Sequence, residues 1–270
     1  MNLTPPLKWH GGKHYLAPKI VELMPAHTHY VEPYFGGGSV LLAKDPIGVS
    51  EVVNDINREL TNFWRVLRDE VLYCRFKRIV ETIPFSEVEW HSTDWPSCSA
   101  WVNGVSWEAA VKFFVRCRQS LAGRMKAFAS ISRTRTRRGM NEQVSAWITA
   151  IEGLESIHNR LKRVLILDHE ATDVIIENDG ENTLHYLDPT YLKQTRTATE
   201  VYEHEMTTKQ HVDLLEVIKQ CSGKVMISGY RSDLYDVELV SWNRHDFDLP
   251  NNAAGGEEKR RMVECVWCNF

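Results

Sequence analysis

Short apolar runs closed by polar or glycine-rich turns alternate along this chain with longer stretches in which apolar residues recur three and four positions apart. The first pattern predicts strands and the second helices. His29 to Pro33, Val49 to Asn54, Val164 to Leu167, Thr183 to Leu187 and Lys224 to Ser228 read as strands. Leu16, Ile20 and Leu23 share a helical face, as do Leu60, Phe63, Trp64, Leu67 and Val71. Val144, Trp147, Ile148, Ile151, Leu154, Ile157 and Leu161 predict one long amphipathic helix. Thr207 and Gln210 form a capping box ahead of Leu214, Val217, Ile218 and Cys221, and Gly223 closes that helix. Strands alternating with helices predict an α/β fold built on a Rossmann-like sheet.

The alternation fails between Val71 and Arg163. Thr82 to Val105 holds Trp90, Trp95, Trp101 and two prolines without a clean period, and Ala110, Phe113, Phe114, Cys117 and Leu121 then mark another helix. The expectation is a main domain of residues 1–71 and 152–270, interrupted by a mainly helical insertion over 72–151.

Composition narrows the class. At 270 residues, 43% hydrophobic and 25% charged, the chain can bury a substantial core. Met1 to Trp9 contain no apolar stretch of signal-peptide length, and no run approaches the ~18 apolar residues of a membrane span, so a cytoplasmic protein is expected. Cys265 and Cys268 form the one CxxC pair, on an apolar stretch from Met262 to Phe270 with no second ligand pair nearby. Reduced thiols are expected there rather than zinc. His204, Glu205 and His211 lack a third ligand at suitable spacing, so no metal is expected.

Charge is distributed unevenly. The net charge is −4, yet Lys112, Arg116, Arg118, Arg124, Lys126, Arg133, Arg135, Arg137 and Arg138 follow one another without an acidic residue. Arg133, Arg135 and Arg137 alternate with Ser132, Thr134 and Thr136, so an extended segment would present three guanidinium groups on one side. Such groups fit phosphates and guanine edges.

Five turns and strand ends carry candidate chemistry. Lys8 to Lys13 places Gly11 and Gly12 ahead of a helix, where they suit either an ordinary turn or a ligand approach backed by the charge of Lys13. Phe35, Gly36, Gly37, Gly38 and Ser39 join the first strand to a helix, without the Lys-Ser/Thr pair of a phosphate-binding loop. Asp55 ends the second strand, where an acid holds ribose hydroxyls or serves the following helix N-terminus. Asp168 to Glu170 ends a later strand, with acids suited to accept an adenine amine or to cap the next helix. Asp188, Pro189, Thr190 and Tyr191 end the strand Thr183 to Leu187. A carboxylate, a proline carbonyl and an aromatic face in a row can accept both hydrogens of an exocyclic amine and cover the ring that bears it. Such stacking is worth roughly 1–3 kcal/mol per base.

The last turn resembles Asp-Pro-Pro-Tyr, the catalytic motif of amino-methylating DNA methyltransferases, with Thr190 in place of the second proline. The glycine turn resembles the Phe-x-Gly-x-Gly of the same enzymes, with Phe35 and Gly37 in register and Ser39 standing for the last glycine. Taken in order, the turn, the acid, the basic insertion and Asp-Pro-x-Tyr resemble Dam-like DNA adenine methylases over the whole chain. The resemblance implies S-adenosylmethionine as cofactor, with S-adenosylhomocysteine as product, and N6 of a flipped-out adenine in double-stranded DNA as acceptor. It implies cofactor contacts at Trp9, Lys13, Phe35, Gly36, Gly37, Gly38, Asp55 and Asp188, with Glu170 where the family often has Asp. Catalysis falls to Asp188, Pro189 and Tyr191. DNA contacts fall to the insertion, at Arg116, Arg124, Lys126, Arg133, Arg135, Arg137 and Arg138. A bacterial or phage-encoded monomer or weak dimer is expected, without metal or membrane. The alternatives are a catalytically silent homologue and an N4-cytosine enzyme.

Overall fold

The computed structural model describes residues 3–92, 101, 104–195, 205–250 and 261–270. Seven strands make the main sheet: β1 His29–Glu32, β2 Ser50–Asn54, β3 Val164–Leu167, β4 Thr183–Leu187, β5 Lys224–Gly229, β6 Asn243–Pro250 and β7 Arg261–Cys268. Their order is β3-β2-β1-β4-β5-β7-β6. The five predicted strands all form, with ends within one residue of those expected. β1 runs parallel to β2 and to β4, so that Val31 lies opposite Val52 on one side and His185 on the other. β4 is parallel to β5, and β7 pairs antiparallel with both β5 and β6. The chain thus starts at the middle of the sheet, builds outward through β2 and β3, and returns to set β4 on the other side of β1. That reversal makes the C-terminal edge between β1 and β4 the switch point at which open α/β sheets bind ligands.

The composition of these strands explains their position. Every residue of β4 and the last five of β5 are buried, which suits a parallel sheet covered on both faces. Leu187, Ile227 and Trp267 pack with Leu214, Leu215 and Ile218 of the helix Thr208–Lys219 in one apolar cluster. Thr207 and Gln210 form the expected capping box at the start of that helix. Cys265 and Cys268 are free and buried. No described helix is long and apolar enough to cross a membrane.

The chain divides into two compact units. A sheet unit takes Glu22–Phe35, Pro46–Asn57 and Leu167–Phe270, and a helical unit takes Met1–Val21, Gly36–Asp45 and Arg58–Ile166. The helices Arg58–Arg68 and Leu154–Leu161 therefore group with the residues between them, a wider unit than residues 72–151. Aromatic packing holds the helical unit together. Phe63 stacks on Phe114 at 5.8 Å, Phe76 meets Phe63 edge-on at 5.9 Å, and Trp147 lies 5.2 Å from Phe114.

Several helices end sooner than the apolar period suggests. Arg58–Arg68 stops before Asp69, whose carboxylate accepts the amide of Leu72 and starts a second helix, Glu70–Val80. Val71 belongs to that second helix and is 61% exposed, because a capping carboxylate redirects the chain where periodicity alone would continue it. The stretch Val144 to Leu161 is two helices, Glu142–Glu152 and Leu154–Leu161, separated at Gly153, a residue that weakens a helix interior by about 1 kcal/mol. Trp107–Gln119 ends before Leu121. Ser120 turns to extended backbone and its hydroxyl accepts the amide of Met125, leaving Leu121 exposed.

Candidate active site

Asp188 leaves the end of β4 half-buried, and Pro189 beside it is buried. Tyr191 is 9% exposed. Its hydroxyl donates to the carboxylate of Glu264 on β7, and its ring meets that of Tyr230 edge-on at 4.6 Å. Burial pushes the Tyr191 phenol far above its ordinary pKa, and the carboxylates of Glu264 and Asp188 push the same way. Thr190 Oγ1 accepts the amide of Met206 at 3.1 Å. His204, weighed above as a metal ligand, lies outside the described residues, as does Trp95. His211 is buried, with Nδ1 3.0 Å from the hydroxyl of Tyr235.

At the C-terminal ends of β1, β2 and β3, Asn54 is 1% exposed and joins three loops. Its Nδ2 donates to the carbonyl of Pro33 and to that of His169, each at 3.0 Å, and its Oδ1 accepts the amide of His169 at 2.8 Å. Its backbone carbonyl accepts the amide of Phe35 at 2.9 Å. Candidate contacts flank each point of attachment: Phe35 follows Pro33, Asp55 follows Asn54, and Glu170 follows His169. Phe35 itself is buried. Asp55 Oδ1 accepts the amide of Asn57, serving the turn before the helix Arg58–Arg68. Glu170 is exposed and makes no side-chain cap for the helix Ala171–Glu177. Burial pushes the phenol of Tyr34 far up, with Tyr235, Glu170 and Asp55 adding to it, so both candidate acids act on one partly buried ring.

In the helical unit, the glycine turn is gripped by two indoles. Gly36 has φ +49°, and a Cβ there would come within 2.9 Å of Trp9 Nε1. A Cβ on Gly37 would come within 2.6 Å of Trp9 Cβ. Trp64 Nε1 donates to the Gly36 carbonyl at 3.0 Å. Gly38, at φ 71°, precedes the helix Ser39–Ala43. These glycines therefore admit an indole as well as sharpening a turn. Lys13 is buried and its ammonium donates to the Gly11 carbonyl at 3.2 Å. Lys8 donates to Gln143 Oε1 at 3.0 Å; burial, with the Arg118 charge beside it, lowers its pKa to about 8.

The basic run does not form the single extended face expected. Ser132 Oγ accepts the amides of Thr134 and Arg135, folding that segment into a turn. Only Thr136–Arg137 is extended, paired with Met140–Asn141. A short polar side chain that satisfies nearby amides competes with strand geometry. Arg124, Lys126, Arg133, Arg135, Arg137 and Arg138 are all exposed. Arg138 grips Glu152 with two hydrogen bonds, at 2.8 and 3.0 Å, and Arg135 lies 3.6 Å from Glu142. Arg116 sits over the ring of Trp90 at 5.8 Å. Arg118 is turned inward onto the Ala146 carbonyl at 2.7 Å.

Sequence reasoning missed Asn54, Trp64 and Glu264. The position of Asn54, directly before a strand-ending acid, was the one available signal. Trp64 looked like an ordinary core residue, and Glu264 has no motif around it. Among the described residues, one group of possible metal ligands converges: Asp179, His185 and Cys221. There the Asp179 carboxylate already accepts the amides of Ser222 and Gly223, as a loop-closing acid does.

A family model described as D12 class N6 adenine-specific DNA methyltransferase matches residues 9–249. The chain is 26% identical to a Type II methyltransferase of Lactococcus lactis subsp. cremoris, over 100% of this chain and 96% of that protein. A 64-residue stretch, 24% of this chain, is 41% identical to a DNA adenine methylase of Vibrio cholerae and covers 22% of it. Among solved structures, the rRNA methyltransferase AviRa of Streptomyces viridochromogenes aligns with 93% of this chain and 82% of its own, at 11% identity and a TM-score of 0.34.

Proposed function

The chain belongs to the D12 class of N6 adenine-specific DNA methyltransferases, and from that premise we propose that Asp188, Pro189 and Tyr191 receive a flipped-out adenine. S-adenosylmethionine is the proposed methyl donor. The activity itself, methylation of adenine N6 in DNA, is that of the class. The observation that carries the assignment of residues is the position of Asp188, directly after a fully buried strand at the switch point of the sheet.

The donor set at the ends of β1 to β3 fits a nucleoside cofactor. Asp55 and Glu170 are hydrogen-bond acceptors suited to ribose hydroxyls and an adenine amine. Trp9, Lys13 and the glycine turn Gly36 to Gly38 are proposed as further contacts on the resemblance alone. When bound, S-adenosylmethionine supplies a methyl group activated by a sulfonium.

Adenine N6 is a poor nucleophile because its lone pair is delocalised into the ring. The Asp188 carboxylate accepts one N6 hydrogen and the Pro189 carbonyl the other, favouring a pyramidal nitrogen with its lone pair exposed. As N6 gains the methyl group it becomes cationic. Asp188 stabilises that charge and accepts the proton that N6 then sheds. The buried strand behind Asp188 fixes its position, which matters most in a displacement that depends on alignment. An adenine inside a duplex cannot reach this edge, so it is flipped out and covered by an aromatic ring. Exposed cations of the basic segment, Arg124, Lys126, Arg133 and Arg137 among them, hold the duplex through its phosphates.

The test is tritium transfer from labelled cofactor to duplex DNA, followed by nucleoside analysis. Label in N6-methyladenine is expected. Label in N4-methylcytosine, or none from a folded protein, would overturn the reading.

A further inference from the structure

We infer that Asn54 is the positioning residue of the cofactor site, a bracket that holds the ends of β1, β2 and β3 in the arrangement the cofactor needs. The inference rests on the cofactor reading above. A buried primary amide has two donors and a two-lone-pair acceptor. Asn54 spends both donors on carbonyls of two different loops and its acceptor on an amide of one of them. One side chain thereby fixes the spacing of Pro33, Asn54 and His169, each within two residues of a candidate contact: Phe35, Asp55 and Glu170. Backbone pairing adds to the bracket on both sides, through Phe35 amide to Asn54 carbonyl at 2.9 Å and Asp55 amide to Leu167 carbonyl at 3.4 Å. Strand pairing alone would be satisfied by an alanine at residue 54, because the ladder uses only its main chain. The amide is needed where strands have ended and the loops have no ladder to hold them.

Neither aspartate nor alanine replaces it. Aspartate offers only acceptors when ionised and would face the Pro33 and His169 carbonyls with like partial charge. Alanine removes the partner of the Pro33 carbonyl at a buried point and those of the His169 carbonyl and amide at a part-buried one.

The experiment compares wild-type protein with Asn54→Ala and Asn54→Asp. Calorimetry of the wild type with S-adenosylmethionine comes first, and absence of binding there would overturn the cofactor reading itself. Given wild-type binding, Asn54→Ala should raise the cofactor Kd about tenfold or more, and Asn54→Asp further still. The KM for cofactor should rise in parallel. The KM for duplex DNA, and kcat at saturating cofactor, should stay near wild type. Amide exchange should speed up at Phe35 and His169 but not along β5. A folded Asn54→Ala protein with unchanged cofactor affinity would overturn the inference. So would equal losses of cofactor and DNA affinity, which indicate a general structural role. If Asn54→Ala does not fold, Asn54→Ser, which keeps one donor and one acceptor, carries the same measurements.

Discussion

Thr190 Oγ1 accepts the backbone amide of Met206, tying the proposed catalytic turn to the start of the helix Thr208–Lys219. The second proline of the family motif has no oxygen on its side chain and could not make this bond. The chain therefore replaces a stiff turn with an anchored one. Thr190→Val keeps the shape and removes the acceptor. A typical intramolecular hydrogen bond contributes about 1 kcal/mol, so turnover should fall severalfold while Thr190→Ser stays near wild type. Steady-state methylation of duplex DNA checks this, and equal turnover for Val and Thr would show that the bond does not position the turn.

Asp188→Ala should abolish methylation with the fold intact, because the residue is half-buried at a strand end and not part of the buried core. Turnover near wild type in a folded variant would remove Asp188 from catalysis.

Tyr191 separates ring from hydroxyl. Tyr191→Phe keeps the aromatic face and removes the hydroxyl's hydrogen bond to Glu264, so thermal stability should drop while base capture persists. Tyr191→Ala should lose both. Fluorescence of 2-aminopurine at the target position reports capture, and full signal from the alanine variant would argue against stacking by this ring.

Gly36→Val should suppress cofactor binding, since φ +49° disfavours a β-branched residue and its Cβ would press on the Trp9 ring nitrogen. Unchanged calorimetric affinity in folded Gly36→Val would place the cofactor elsewhere.

Replacing Arg133, Arg135 and Arg137 by Gln should weaken DNA binding while cofactor affinity persists. For every phosphate that an arginine neutralises in the wild type, the log-log salt slope of the variant should shrink by about 0.9. Arg135, already near Glu142, should account for least of the change. If one of the three reads a guanine, discrimination at that pair should fall by roughly 1–3 kcal/mol. An unchanged slope with unchanged preference would leave the arginines as solvated surface.

Lys8 titrates near pH 8 when folded and near 10.5 when unfolded. Between those values the unfolded chain binds more protons, so this group makes stability rise with pH across that window. Below pH 8 its full penalty is present. Lys8→Met should remove the penalty and flatten that slope in thermal unfolding measured from pH 7 to 10. An identical slope in the variant would count against a buried ammonium.

Residues whose role is set by near neighbours were legible in the chain. β4 could be read from Thr183 to Leu187 because five buried positions in a row leave a strand few alternatives, and Asp188 followed from its end. Thr207 and Gln210 announced a helix start by chemistry contained in four residues. Asn54 was not legible, because its partners lie 21 and 115 positions away. Glu264 stands 73 positions from Tyr191 and carries no local sign of that bond. Val71 and Gly153 misled for the opposite reason. The apolar period runs through both helix breaks, while one capping carboxylate and one glycine decide where the backbone turns.

The placement of β1 between β2 and β4 also dictates an order of events at the ribosome. Every residue of the helical unit has been synthesised by Ile166, before β4 exists. At roughly 5–20 residues per second, β1 waits on the order of ten seconds for its second neighbour. During that time one edge of a strand that is largely buried in the finished fold is open to pairing with other chains. Nascent chains arrested just before Thr183 should therefore resist protease across residues 58–92 and 104–166 while remaining cleavable near His29. Chains arrested well past Phe270 should resist at both. The enzyme's most dangerous interval would then be its own translation, and its yield in cells should depend on chaperones that bind extended apolar segments.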